Sequence, residues 1–467
     1  MIARHSPCSL IVSSVLALLA ISLSPAEAPG ESSKSPLLIV APDAFHEPLV
    51  DYLRFKQERR PVELVSLEKI LQETPGRDDP ERVKRFLFEQ WKAGKGTNAL
   101  LVGDADVFPV RYMVLDRVTP AAFDYAFYPS DLYYADLARE DGTFDDWNAQ
   151  QDGFHAGYFG EVRGEKNKTD PINYDRVDYR PDIAVGRWPV SNVDELQKVV
   201  AKSMLFERGV LAKDRVGLKA AALFSVGGWV DSRGLMDEIA RRMPSDWNVE
   251  KRYYRDRRRD DETAPPDEGQ LVELLNSGQR IVFHAGHGQD DAWEQCFSVR
   301  SLEKLKNADR LPVMISAGCS TARLATLPPY EAYVDVDGKE HAGTNFGEVF
   351  DAPPAPPAPY QRGRFNTTGL GEKLLRNGPM GAVAYIGCNT GSQPCGLTLL
   401  DGFSQSMREH PDNSLGDCWV DAVKHYYDHE HLGTIVPNND WYPASIFFQG
   451  MKFMLYGDPT LPLGNVD

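Results

Sequence analysis

The stretch Ile281–Trp293, IVFHAGHGQDDAW, reads as a buried apolar strand that runs straight into a corner of His, Ala and Gly. Glycine has no Cβ and tolerates positive φ, so such a corner lets backbone approach whatever sits above it. The chain has ten histidines, and two of them, His284 and His287, fall here. A second stretch, Leu311–Leu324 (LPVMISAGCSTARL), has the same form: an apolar strand that ends at Ala317-Gly318 and exposes Cys319. Both corners lie at the carboxyl ends of their strands. In an open α/β sheet ligands bind outside those ends, and the spacing of 32 residues between His287 and Cys319 suits one crossover. A thiolate beside an imidazole is a nucleophile for acyl transfer, with the imidazole protonating the leaving amine. The backbone N–H groups of Gly288 and Cys319 are candidate oxyanion donors. His284 is assigned to the strand as a structural residue.

The same rhythm extends outward in both directions. From Pro36 to Val110 short apolar runs (PLLIVAP, PVELVSL, NALLVGDADVFPV) alternate with amphipathic segments, which means βαβ units and a parallel sheet. PDIAVGRWPV, residues 181–190, is a further strand, and Val193–Arg208 is a helix bridging to a second unit. There the strands are LKAAALFSV, RIVFHAGHG, LPVMISAGC and GAVAYIGCN, with helices at Ser232–Arg242, Gly269–Ser277, Ser301–Asn307 and Gly369–Arg376. The expected fold is α/β: two side-by-side subdomains with mainly parallel sheets, residues 36–200 and 201–467. A proline-rich insertion, 325–366, follows the cysteine directly; its DAPPAPPAP favours extended geometry, and a surface loop is a simpler reading than a cover for the cleft.

The 467 residues carry a formal net charge of −17, which argues against nucleic acid or anionic membrane as a partner. At the N-terminus Arg4 precedes an apolar run, Leu10–Leu23, and the small residues Ala26-Glu27-Ala28. That is the layout of a signal peptide over residues 1–28, and its apolar run is shorter than the ~20 residues of a bilayer span. It implies a secreted or periplasmic protein with no membrane span in the mature chain. Removing Cys8 leaves five cysteines, for which two disulfides and one free thiol is the economical arrangement in an oxidising compartment; Cys388 and Cys395 are near enough in sequence for a local bridge.

These residues resemble the gingipain-like cysteine peptidases, part of the group that includes caspases and legumain. The resemblance rests on GHGQDDAW (286–293), GCSTAR (318–323), GEKLLRNGPMGAVAYIG (371–387) and LYGDPTLPL (455–463), and extends through LLVGDAD and PDIAVGRWPV. It implies a caspase-like second subdomain and a cysteine endopeptidase acting on protein or peptide. By it, Cys319 and His287 form the catalytic dyad, Gly288 supplies an oxyanion donor, and no cofactor is required for catalysis. Asp231 and Trp293 are the candidate substrate-binding residues. Val226 stands where relatives place an acid that orients the histidine, with Asp290 and Asp291 as substitutes. The aromatic wall after the YIG strand is replaced by CNTGSQPC (388–395). Relatives also bind calcium through Asp-rich loops, for which Asp146, Asn148, Asp152 and Glu161 are candidates for a structural ion, against a solvated acidic loop. A sortase-like transpeptidase and an inactive binding protein on the same scaffold are the alternatives.

Overall fold

In the computed structural model, residues 36–115, 126–150, 157–165, 168–211, 219–255 and 265–464 are described. The expected signal peptide, residues 1–28, lies outside them. The main sheet has ten strands: β1 (Leu37–Ala41), β2 (Val62–Ser66), β3 (Asn98–Val102), β4 (Ala184–Trp188), β5 (Ala220–Ser225), β6 (Asn248–Tyr253), β7 (Ile281–Ala285), β8 (Val313–Ser316), β9 (Ala384–Cys388) and β10 (Phe453–Tyr456). Their order is β2-β1-β3-β4-β10-β9-β8-β7-β5-β6.

All neighbours are parallel except β10, which runs antiparallel to β9 and parallel to β4. The last strand of the chain is therefore the seam. It joins the two expected subdomains into one continuous sheet, and Ser35–Asp467 forms a single compact unit. The expected boundary at 200/201 falls inside one uninterrupted helix, Val193–Leu211.

Parallel strands covered on both faces read as unbroken apolar runs because each face is buried under helices. β7 shows this directly: Ile281, Phe283 and Ala285 enter one core and Val282 the other, and all four have no exposed surface. One core takes the apolar sides of Asp79–Lys92, Arg233–Arg242, Leu397–Glu409 and Leu415–His429. The opposite core takes those of His46–Gln57, Val193–Leu211, Glu268–Ser277 and Leu370–Arg376. Helix starts follow local chemistry: Asp78 accepts from the Glu81 N–H and Asp267 from that of Gln270, and Ser414 with Asp417 makes a capping box.

Some expectations change. Ser301–Asn307 is a 3-10 turn over Val299–Lys304, not an α-helix. Edge strand β6, with its polar sequence NVEKRY, went unread, as did the C-terminal helices Leu397–Glu409, Leu415–His429 and Tyr442–Gln449. The expected disulfides are absent: all five cysteines from Cys296 onward are free thiols, Cys388 and Cys395 included. The 325–366 segment is ordered by a two-residue hairpin, Tyr333–Val334 with Glu340–His341. It docks on the first half of the chain, where Pro359, Ala105 and Pro328 accept from Val110, Gln361 and Phe127 respectively.

Candidate active site

β5, β7, β8 and β9 are parallel neighbours, so the loops leaving their carboxyl ends converge at one edge of the sheet. Those loops line a cleft of about 490 Å³, counting the space open to solvent. Gly228, Trp229, Val230 and Ser232 come from the loop after β5, Gly286 and His287 from that after β7, and Ala317 and Cys319 from that after β8. Ser392, Gln393 and Pro394 follow β9, and Leu397 begins the next helix. His287 and Cys319, 32 residues apart, thus face the same space. No residue of the 325–366 segment lines it.

The thiol is mounted on a constrained turn. Ser320, directly after it, has φ +56°, a left-handed conformation rare for a residue with a Cβ. Its N–H donates to Thr390 O (2.8 Å), and that of Ala322 to Cys388 O (3.0 Å), which ties the turn to the end of β9. The Ser392 N–H donates to Cys319 Sγ at 3.3 Å. The thiol in turn faces Ser392 O at 3.7 Å. Cys319 is the one partly exposed cysteine among the five; burial pushes the thiols of Cys296, Cys388 and Cys418 up to about 12.

Gly288 meets the Cys319 peptide face to face. A Cβ there would lie 2.7 Å from Cys319 O and 2.9 Å from Cys319 N, so only glycine permits the approach. The Cys319 N–H donates to no protein acceptor among the described residues. Gly286, at φ +133°, packs on the Val226 backbone, where a Cβ would stand 2.4 Å from Val226 O.

His284 sits beneath this surface. Its ring stacks on Trp293 (centroids 4.3 Å apart, planes 3° apart), and Nδ1 hydrogen-bonds Ser316 Oγ at 2.8 Å. Burial pulls its pKa down to about 3, so the ring is neutral. Ser316 Oγ also accepts from the Gly318 N–H at 3.1 Å, and Trp293 Nε1 donates to Tyr385 OH at 2.9 Å. The nucleophile turn therefore rests on a buried polar network.

Several expected site residues are elsewhere. Trp293 is wholly buried on His284 and cannot touch a substrate in the cleft. Asp231 does not line the cleft; its carboxylate is gripped by Arg233, Nε at 2.8 Å and Nη2 at 2.7 Å. Asp290 pairs with Arg323 at 3.1 Å, which removes it as an orienter of His287. Among the described residues the His287 ring has no hydrogen-bond partner. For calcium, Asp146 is bound by Arg77, Asn148 O accepts from the same guanidinium at 3.1 Å, and Glu161 Oε1 accepts from Arg163 Nε at 2.7 Å. Asp152 lies outside the described residues. No group of three His, Cys, Asp or Glu that would hold a metal occurs among the described residues.

Sequence reading missed Trp229 and Val230, while the 392–394 loop falls within the CNTGSQPC stretch already placed beside the site. The signal was present in an indole beside the Gly227-Gly228 pair, away from any apolar periodicity.

A mainly parallel α/β sheet with a thiol and an imidazole mounted at the carboxyl ends of adjacent strands defines the cysteine peptidase class of caspase-like architecture. The chain belongs to peptidase family C25, whose family model matches residues 31–464. It is similar in fold to the Arg-specific cysteine proteinase gingipain R, with TM-score 0.60, 16% identity, and 93% of this chain and 79% of that one covered. The complex of the RgpB pro- and mature domains from Porphyromonas gingivalis gives TM-score 0.58 at 16% identity, covering 91% and 79%. No curated protein sequence matches. No helix among the described residues is long and apolar enough to cross a membrane.

Proposed function

We propose that the chain is an exported cysteine endopeptidase in which Cys319 is the nucleophile and His287 the general acid and base. The observation that carries this reading is the pairing of the one partly exposed thiol with His287 in a single cleft.

Cys319 passes its thiol proton to His287 and its sulfur attacks the scissile carbonyl carbon. The carbonyl oxygen takes the negative charge, which the N–H groups of Cys319 and Gly288 offset. Protonated His287 passes its proton to the leaving amine and a thioester remains. Neutral His287 then takes a proton from water, the hydroxide attacks the thioester, and the acid and free thiol are released. Without a carboxylate partner among the described residues, His287 works as half of a dyad rather than as the centre of a triad. The Arg specificity in the description of gingipain R is not carried over to this chain. Export rests on the layout of residues 1–28.

Cys319→Ala should abolish hydrolysis of an unfolded protein substrate while leaving the circular dichroism spectrum unchanged. Retained hydrolysis would remove the assignment.

A further inference from the structure

The residue whose carbonyl Cys319 attacks must place its side chain in the space that adjoins the thiol. We infer that this cleft takes an uncharged, apolar side chain at that position, with Trp229 and Val230 as its wall and Ser232 at its floor. The inference rests on the peptidase reading and names the substrate class of the same site.

Charge is the first argument. Among the described residues every side chain lining the cleft is neutral or apolar except the His287 and Cys319 pair, and no carboxylate lines it. A lysine or arginine inserted here would lose its water and gain no counter-ion. The overall charge of −17 is screened over about 10 Å at 0.1 M salt and supplies no fixed counter-ion within the cleft.

Asp231 is adjacent in sequence but cannot act as a hidden acid. The Arg233 guanidinium binds both its oxygens, and the Arg233 N–H donates to Oδ1 at 3.0 Å. Arg233 is itself 1% exposed, and its guanidinium lies 4.4 Å from the centroid of the Tyr254 ring. Rotating Asp231 toward the cleft would take the carboxylate from a buried guanidinium.

Apolar surface is the second argument. Trp229 is 72% exposed and Val230 42%, two adjacent apolar side chains open to water at the mouth of the cleft. Exposed indole beside reacting groups is surface waiting to be covered. The floor is Ser232, buried at 3%, whose hydroxyl is already engaged with Ser225 Oγ at 2.7 Å. It offers no charge. A cleft so built distinguishes residues by apolar contact and by rejection of an unpaired cation.

The test uses the full chain and a series of fluorogenic peptides that differ only in the residue before the scissile bond. Leu, Met and Phe should exceed Arg and Lys in kcat/KM by at least about 10-fold. Trp229→Ala should lower kcat/KM for the apolar series by roughly 10-fold, mainly through KM, and narrow the gap to Arg. Alkylation of Cys319 by iodoacetamide in the wild-type chain and in His287→Ala reads thiol activation independently of the cleft walls. A His287-dependent thiol combined with equal or preferred cleavage after Arg or Lys would overturn the inference and leave the peptidase reading intact. A Trp229→Ala profile identical to wild type would overturn the assigned wall. Loss of any His287 dependence, with no peptide cleaved, would remove the peptidase reading and this inference together.

Discussion

At the scale of single residues, the site depends on side chains that are missing as much as on those present. Gly288 lets one peptide lie flat on another, and a methyl group there would collide with Cys319 O at 2.7 Å. Gly288→Ala is expected to lower kcat by about 100-fold, the cost of displacing one oxyanion donor, with a much smaller effect on KM. A kcat within threefold of wild type would remove Gly288 from the site. The buried His284 makes a separate prediction. Its pKa falls from the ordinary 6.5 to about 3 through burial, so between those values the unfolded chain binds a proton that the folded chain does not. Its contribution to stability is whole above pH 6.5 and is lost as pH falls toward 3. His284→Asn, which keeps a group able to bond Ser316, should flatten the acid limb of a stability-versus-pH curve measured by urea unfolding. An unchanged slope would argue against a neutral buried ring. The two histidines of HAGHG differ for a simple reason: His284 is on the strand and points into the sheet's core, whereas His287 lies beyond the chain's turn and lines the cleft.

Among elements, the loops leaving the strands matter more than the strands. Arg323, 4% exposed, ties two of them together: it pairs with Asp290 after β7, and in the stretch that follows β8 it pairs with Glu331 and donates to Ala325 O at 3.0 Å. Arg323→Met preserves much of the side-chain volume and should cost about 2 kcal/mol, less than the 3 or more of a fully buried pair because Asp290 is half exposed. Chemical denaturation would measure this, and a loss under about 0.5 kcal/mol would reduce the linkage to a surface pair. The same scale explains what was legible in the sequence. β7 and β8 were readable because both faces of each are buried and the residues are apolar throughout. β6 was not, since it is an edge strand whose NVEKRY is mostly polar and only partly buried, with no apolar alternation to mark it. Asp231 and Trp293 have the right chemistry for the roles expected of them, and tertiary partners engage each otherwise. A pattern of residue types does not say which guanidinium or ring will reach a group first.

The whole molecule is one sheet because its last strand is spent in the middle. β10 lies between β4 and β9, and Asp458, just beyond it, meets Lys56 of the first helix at 2.9 Å while Lys56 also meets Glu207 at 2.7 Å. All three are buried. The two halves should therefore unfold together: urea transitions followed by far-ultraviolet circular dichroism and by tryptophan fluorescence are expected to coincide, since Trp188 and Trp293 lie in different halves. Lys56→Met, which leaves Asp458 and Glu207 facing each other, should shift both transitions equally by about 3 kcal/mol. Two resolved transitions would mean that the seam does not couple the halves. The sequence by itself determined the α/β class and the strand ends that carry His287 and Cys319, because apolar runs and glycine corners are local and act through neighbours in the chain. Only the tertiary structure decided that the halves share a sheet, that the thiols stay unpaired, and that Trp229 rather than Trp293 meets the cleft. Those outcomes depend on contacts between segments tens to hundreds of residues apart, where packing and charge pairing select one partner among many that the sequence leaves open.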